Sequence, residues 1–247
     1  MKRAWLVGIA VLLLVWTLVT ATGLISRLFL PAPWATFEAL FKLLATGGMW
    51  VDIFGTLFRT LGGFCIGAAV GIPVGLLMGR YRPIYNAMEL PVDFFRSIPA
   101  TALFPLFIVI FGLGNSVKVF TAAWASGMVV LINTIYGMRS VPEIRLMVAK
   151  LKRLSPARTF YRVIIPNALP YIIAGGRIGL SLALVVEIVA EMFLGASTGL
   201  GHRIFNATTV FDMEEAYATV FVVGLVGYLI NKLILFIERR GVHWTGK

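Results

Sequence analysis

Charge is scarce in this chain. Of 247 residues only 13% are Asp, Glu, Lys or Arg, about half the share that a globular domain carries. Mean hydropathy is +0.91. Most of the surface therefore faces something other than water, and an ordinary soluble fold is excluded. Cysteine is nearly absent too: Cys65 is alone, so no internal disulfide can form. His202 and His243 are the only histidines and have no ligand residues clustered at metal spacing, which leaves no zinc site and no thiol redox centre. A Gly-x-x-x-x-Gly-Lys-Ser/Thr loop is missing, so the chain cannot cradle nucleotide phosphates. No nucleophile or metal motif marks it as a membrane enzyme.

What the chain does have is long apolar runs. About 20 apolar residues in a helix cross about 30 Å of hydrocarbon, where backbone groups find no water. Ala4 to Ser26, Thr60 to Gly79, Ser97 to Val117 and Val119 to Met138 contain no charged residue. Val163 to Leu194 holds Arg177, Glu187 and Glu191, and Ala216 to Ile237 holds Lys232, yet both are long enough to span. Six crossings are expected. The first run follows Lys2 and Arg3 but is too long for a secretory leader and lacks a small-residue cleavage site, so it reads as a retained helix.

Six crossings put both termini on one side. With the termini inside, fifteen Lys or Arg lie on inner segments and five on outer ones. That bias places both ends in the cytoplasm, and the net charge of +11 reports membrane orientation rather than nucleic-acid binding. The whole chain, 1–247, reads as one all-α integral membrane domain with a cytoplasmic loop over 139–165.

Several local patterns carry more detail. After Pro31 and Pro33, apolar Phe37, Leu40, Phe41 and Leu44 mark an amphipathic helix, expected to lie in the outer interface with its apolar face in lipid or to line an outer gate. Gly63, Gly67, Gly71, Gly75 and Gly79 recur every four residues, a stripe that lets another helix come to backbone contact or slide; Pro73 should bend that span. Pro99 and Pro105 make a broken entry into the third span, whose freed carbonyls need protein or water, and so mark it as a cavity wall.

Charges within spans are expensive and are functional candidates by default. Glu187 and Glu191 share a helix face. Three roles are open to them: an ion pair with Arg203 or Arg59 that gates or holds structure, contact with a solute, or solvation at the outer interface. Arg177 could attract an anion, reach the inner headgroups, or pair with Glu89 or Asp93. Ser126, Asn133 and Thr134 are the polar residues of the fourth span, suited to helix-to-helix hydrogen bonds or to lining a cavity.

The segment from Arg139 to Arg162 holds seven basic residues interleaved with apolar ones. One or two short amphipathic helices are expected there, binding either anionic lipid or a soluble protein. Its tail, Val163-Ile164-Ile165-Pro166-Asn167-Ala168-Leu169-Pro170, resembles the cytoplasmic motif of permease subunits of binding-protein-dependent ABC importers. Met147-Val148-Ala149 and Arg153 stand where that motif has Glu-Ala-Ala and Gly. The run from Arg96 to Gly114, and Val189-Ala190-Glu191-Met192 followed by Gly199-Leu200-Gly201, resemble the nitrate, sulfonate and taurine branch.

The resemblance implies a type I permease fold with six transmembrane helices, working as a homodimer in a bacterial inner membrane. It implies cytoplasmic ATP-binding subunits that hold ATP and Mg, an external solute-binding protein, and no cofactor in this chain. Ala149, Lys150, Arg153, Leu154, Ser155, Pro156, Arg158 and Phe160 would form the ATPase contact. Pro99, Pro105, Asn133, Arg177, Glu187 and Glu191 are candidates for the translocation pathway, and Gly63, Gly67, Gly71 and Gly75 for helix packing. The implied solute is a small anion: a sulfonate, taurine, nitrate or an aromatic carboxylate. A cationic or neutral vitamin precursor is the alternative that the two acids would favour. A self-sufficient secondary transporter would instead show inverted-repeat halves, which the sequence lacks.

Overall fold

The computed structural model describes residues 4–241, whose regular elements are all helices with no strand among them. In chain order the helices are α1 (Ala4–Ala21), α2 (Pro33–Ala45), α3 (Gly48–Arg80), α4 (Arg82–Arg96), α5 (Phe104–Phe111), α6 (Asn115–Arg139), α7 (Glu143–Leu151), α8 (Pro156–Thr159), α9 (Ile165–Phe193), α10 (Leu200–Thr209) and α11 (Met213–Gly241). A π-turn over Phe160–Ile164 joins α8 to α9, so Pro156–Phe193 is one helix of 38 residues. Four helices are long and apolar enough to cross a membrane, and α4 with the segment Ala100–Phe111 makes a fifth, bent by 87°. Helix α1 adds a shorter apolar segment, Leu6–Ala21.

The glycine stripe explains the core. A Cβ on Gly63 would fall 2.7 Å from Ala122 Cβ, one on Gly71 2.6 Å from the Gly127 carbonyl oxygen, and one on Gly75 2.7 Å from Thr134 Cβ. Gly67 meets Ala123 and Ser126, and Gly79 meets Met138. Only hydrogen fits, so α3 and α6 touch backbone to backbone along their length. The partners advance together, Gly63 with Ala122 and Gly79 with Met138, so the two helices run parallel. Gly175 against Asn133 and Gly179 against Ser126 bring α9 onto the other side of α6, running antiparallel.

Parallel neighbours require the chain between them to return across the fold. This return is where the structure corrects the expected third span. Ser97–Val117 is not one crossing helix. Its chain breaks at Ser97–Pro99, makes a 3-10 turn over Ala100–Leu103, continues as α5 for only eight residues, and ends at Gly112–Gly114. Pro99 removes a donor and biases Ile98 away from the helical region, which sets the break. Pro105 lies in the first turn of α5, where a proline is tolerated.

Two other expectations change. Helix α3 begins at Gly48 rather than near Thr60, because the charges that interrupt its first turns are buried and paired. Helix α2 does not give its apolar face to lipid: Leu40 and Leu44 pack on a core of Met49, Ile53, Leu184, Ile188, Val222 and Val226, and Phe37 stacks near Phe221. Trp34 and Phe41 take the outward side. Trp16 of α1 donates its Nε1 hydrogen to the Pro31 carbonyl at 3.0 Å and stacks on Phe221. Pro73 does not interrupt α3.

Candidate functional site

One end of α3 carries Asp52, Thr56 and Arg59 at spacings of four and three, which puts them on one helix face. All three are buried. Facing them on α9 are Glu187 and Glu191, both 0% exposed. Arg59 Nε donates to Glu187 Oε1 at 2.8 Å, and its Nη2 donates to Glu191 Oε1 and, at 2.8 Å, to the Thr198 carbonyl. Thr56 donates its hydroxyl to Glu191 at 2.8 Å and accepts the Leu200 N–H at 2.9 Å. The Gly201 N–H reaches Glu191 Oε2 at 2.8 Å, and the Gly199 N–H reaches Asp52 Oδ1 at 2.7 Å.

The connection Thr198–Gly201 is thus fastened to α3 and α9 by backbone groups. Gly199 sits at φ +139, and a Cβ on Gly201 would collide with the Ile188 carbonyl. Neither position admits another residue without displacement. Arg203, at the start of α10, continues the network to Asp52 and Glu215 at 2.6 Å each. Burial alone would lower the Arg203 pKa; hydrogen bonds and charge from Asp52 and Glu215 outweigh it and leave it raised. Lys118 lies 2% exposed nearby, its Nζ on the Gly114 carbonyl at 3.1 Å. Of the partners open to the two acids, Arg59 takes both and Arg203 takes neither.

The remaining pathway candidates lie apart from this cluster. Arg177 faces Glu238 on α11 at 3.7 Å, not Glu89 or Asp93. Asn133 donates to the Val129 carbonyl of its own helix, and Ser126 and Thr134 likewise bond the carbonyl four residues back. The expected helix-to-helix bonds are absent for these three because side chains satisfied within α6 permit the close approach of α3 and α9. Pro99 lines a cavity of about 510 Å³ between the break at Ser97–Pro99, α6 and α9; Pro105 is exposed on α5. His202 pairs with Asn206 at 2.8 Å, while His243 lies outside the described residues. Among the described residues no group of acids, cysteines and histidines could hold a metal.

The opposite end carries the basic loop, folded as α7 and α8. Helix α7 ends in a left-handed residue, Arg153 at φ 51, with the Leu154 N–H on the Ala149 carbonyl at 3.0 Å and the Arg153 N–H on the Lys150 carbonyl at 2.8 Å. That is a Schellman closure, in which glycine is favoured at the left-handed position. Ser155 caps α8 by accepting the Arg158 N–H at 3.3 Å, and Pro156 follows at its first position. Ala149 is buried, Leu154 and Phe160 are half-buried, and Lys150, Arg153, Ser155, Pro156 and Arg158 are exposed. Ile144, Met147, Val148 and Leu151 form an exposed apolar stripe along α7. The Arg80 guanidinium lies 4.8 Å over the Phe160 ring, which ties the C-terminal end of α3 to the π-turn.

Residues 71–240 match the family described as the binding-protein-dependent transport system inner membrane component. The chain belongs to that family. It is 37% identical over 229 residues to a probable ABC transporter permease of Brucella melitensis, covering 93% of this chain and 92% of that protein. It is 30% identical over 244 residues to the taurine transport system permease protein TauC of Escherichia coli, covering 97% and 88%. Other relatives carry the names of permeases for aliphatic sulfonates, nitrate and bicarbonate. A chain of the inward-facing MetNI methionine ABC transporter shares the fold, with a TM-score of 0.68 at 20% identity over 78% of this chain and 96% of that one. This protein is therefore a multi-pass permease subunit of an ABC importer with the type I fold. Arg153 itself occupies the left-handed region that glycine favours.

Proposed function

We propose that this permease carries small oxyanions, the sulfonate, nitrate or bicarbonate class, and that a separate ATPase subunit drives it through α7 and α8. The exposed apolar stripe of α7 carries this reading. Ile144, Met147 and Leu151 lie 54% or more exposed beside Lys150, Lys152 and Arg153, an apolar row ringed by cations that suits a cleft on a soluble partner better than a bare helix in water. The π-turn and the Arg80–Phe160 contact link that helix pair to both α9 and α3, so displacement of the loop would reach the pathway helices. Two copies of the chain enclose the pathway, ATP and Mg reside in the ATPase subunits, and a solute-binding protein delivers cargo to the face that carries α2 and α10. Both termini and the basic loop then lie on the ATPase side, in line with the excess of Lys and Arg there. The relatives' names support the solute class.

Replacing Ser155–Phe160 with a flexible Gly-Ser linker tests the coupling. Capture of the ATPase and energised uptake should both be lost while the permease still purifies as a folded membrane protein. Uptake that persists with the linker would refute the reading. For the solute class, cells that express the whole importer should take up at least one of taurine, methanesulfonate, nitrate or bicarbonate, and not a cationic vitamin precursor.

A further inference from the structure

The cavity at the break before α5 holds one charged side chain, Arg96. The 510 Å³ space is bounded by Arg96, Ser97, Pro99 and Thr101 on one side, by Trp124 and Met128 of α6, and by α9 opposite. That volume is within the range of small-molecule sites, about 300 to 1,000 Å³. Ile132 of α6 borders the same cavity, and Arg96 also borders a smaller pocket with Ile135 and Tyr136, so it lies roughly 5 to 10 Å along α6 from Arg139 at the basic end of that helix. An arginine at such a depth is costly unless it faces water or a partner. Its Nε sits 2.9 Å from Asp93 Oδ1, and among the described residues its two terminal nitrogens have no partner. A planar pair of free N–H donors beside the Thr101 hydroxyl matches the geometry of an oxyanion; the Ser97 hydroxyl is already committed, donating to the Asp93 carbonyl at 2.7 Å. Asp93 is the one carboxylate in contact with Arg96, and it tempers the attraction so that an anion can leave again.

Resting on the oxyanion reading above, we infer that this cavity is a solute station and that Arg96 is its anion contact, with Asp93 setting its strength. The inner basic loop does not supply this group. Neither do Glu187 and Glu191, which are sealed inside the protomer.

The test uses the permease–ATPase complex in nanodiscs, with Cys65→Ser removing the native thiol and Ala100→Cys placing a reporter in the cavity without touching Thr101. The anionic reagent MTSES and the cationic reagent MTSET are compared at that thiol, with and without millimolar methanesulfonate. With Arg96 present, methanesulfonate should slow MTSES labelling severalfold. Arg96→Gln should lower the MTSES-to-MTSET rate ratio at least fivefold and abolish the protection. Asp93→Asn should move both in the opposite direction, which a merely structural role for Arg96 does not predict. Arg96→Lys keeps the charge but loses the fork, so it should retain most of the rate ratio and lose most of the protection; this variant decides the matter if Arg96→Gln fails to assemble. Absence of protection, or a ratio within twofold of the parent in Arg96→Gln, overturns the site. Import of a sulfonate, nitrate or bicarbonate by the intact system alongside absent protection sinks the station alone, whereas import of none of them removes the oxyanion reading as well.

Discussion

Arg59→Met isolates the strongest energetic feature of the outer cluster. The guanidinium serves two carboxylates that are both fully buried and bonds the Thr198 carbonyl at 2.8 Å as well. Methionine fills similar space but leaves Glu187 and Glu191 buried beside each other without the cation they share. Glu187 has the poorer alternatives: its Oε2 already has no hydrogen-bond partner. Glu191 keeps Thr56 and the Gly201 N–H. Removing one partner of a buried ion pair costs about 3 to 5 kcal/mol, because the other charge is stranded. In a chain of this length each kcal/mol lowers Tm by about 2 to 4 °C, so a loss of about 6 to 20 °C is expected. The assay is thermal unfolding of the detergent-purified permease, followed by fluorescence size-exclusion chromatography. Adding Glu187→Gln to Arg59→Met should recover part of the loss, with a coupling of about 1 to 3 kcal/mol in the double-mutant cycle. A fall under 2 °C for the single variant, or a cycle additive within 0.5 kcal/mol, the usual limit for independent sites, would refute the argument that these groups form one interdependent unit.

Two further outcomes are expected. Gly71→Ala should destabilise the fold by about 1 to 3 kcal/mol, the usual range for overpacking, since its Cβ would meet the Gly127 carbonyl oxygen at 2.6 Å and backbone cannot step aside. Gly62→Ala, one residue off the stripe with its nearest neighbour at 4.0 Å, should be neutral or stabilising by up to about 1 kcal/mol through helix propensity; the paired melting curves decide. Arg153→Gly should tighten the end of α7 by roughly 0.5 to 1 kcal/mol, because glycine carries no penalty in the left-handed region. Slower amide exchange over 143–155 is the readout, and unchanged exchange would show that the Schellman closure is not strained.

Much of the architecture was legible because lipid imposes simple rules. Uninterrupted apolar runs, a four-residue glycine period and prolines at a span entry each have one dominant physical meaning. A close-packing glycine face on α3, the amphipathic α2 and one or two short helices in the basic loop could be anticipated from spacing, but the identity of α6 as the partner of that glycine face could not. What escaped depends on contacts between distant segments. An ion pair of the two acids with Arg59 is among the roles open from the sequence, but no such pairing marks Asp52; only the Gly199 N–H and Arg203, more than 140 residues away, make it interior. The triplet Asp52, Thr56 and Arg59 at helical spacing was the available signal. Arg96 read as an inner-loop cation because the 87° bend that turns it toward a cavity has no signature beyond Pro99. Pairing with Glu89 or Asp93 is one of three roles the sequence leaves open to Arg177, and its partner is instead Glu238 on α11, a contact between distant segments.

The unbroken rod from Pro156 to Phe193 has a mechanical consequence. It packs on α6 along a seam that runs from Ala168, against Gly137, through Gly175 to Gly179, against Ser126; a pivot at the Gly175–Gly179 end of that seam would leave arms of about 30 Å towards Pro156 and about 20 Å towards Glu191. A tilt of about 10° about this point would carry Pro156 some 5 Å one way and Glu191 roughly 3 to 4 Å the other, by the rise of the helix alone. Hydrogen bonds of 2.8 Å at the far tip cannot survive such a swing. Rocking of the Pro156 tip and release of the Thr198–Gly201 clasp would then be the same event seen from the two ends of one helix.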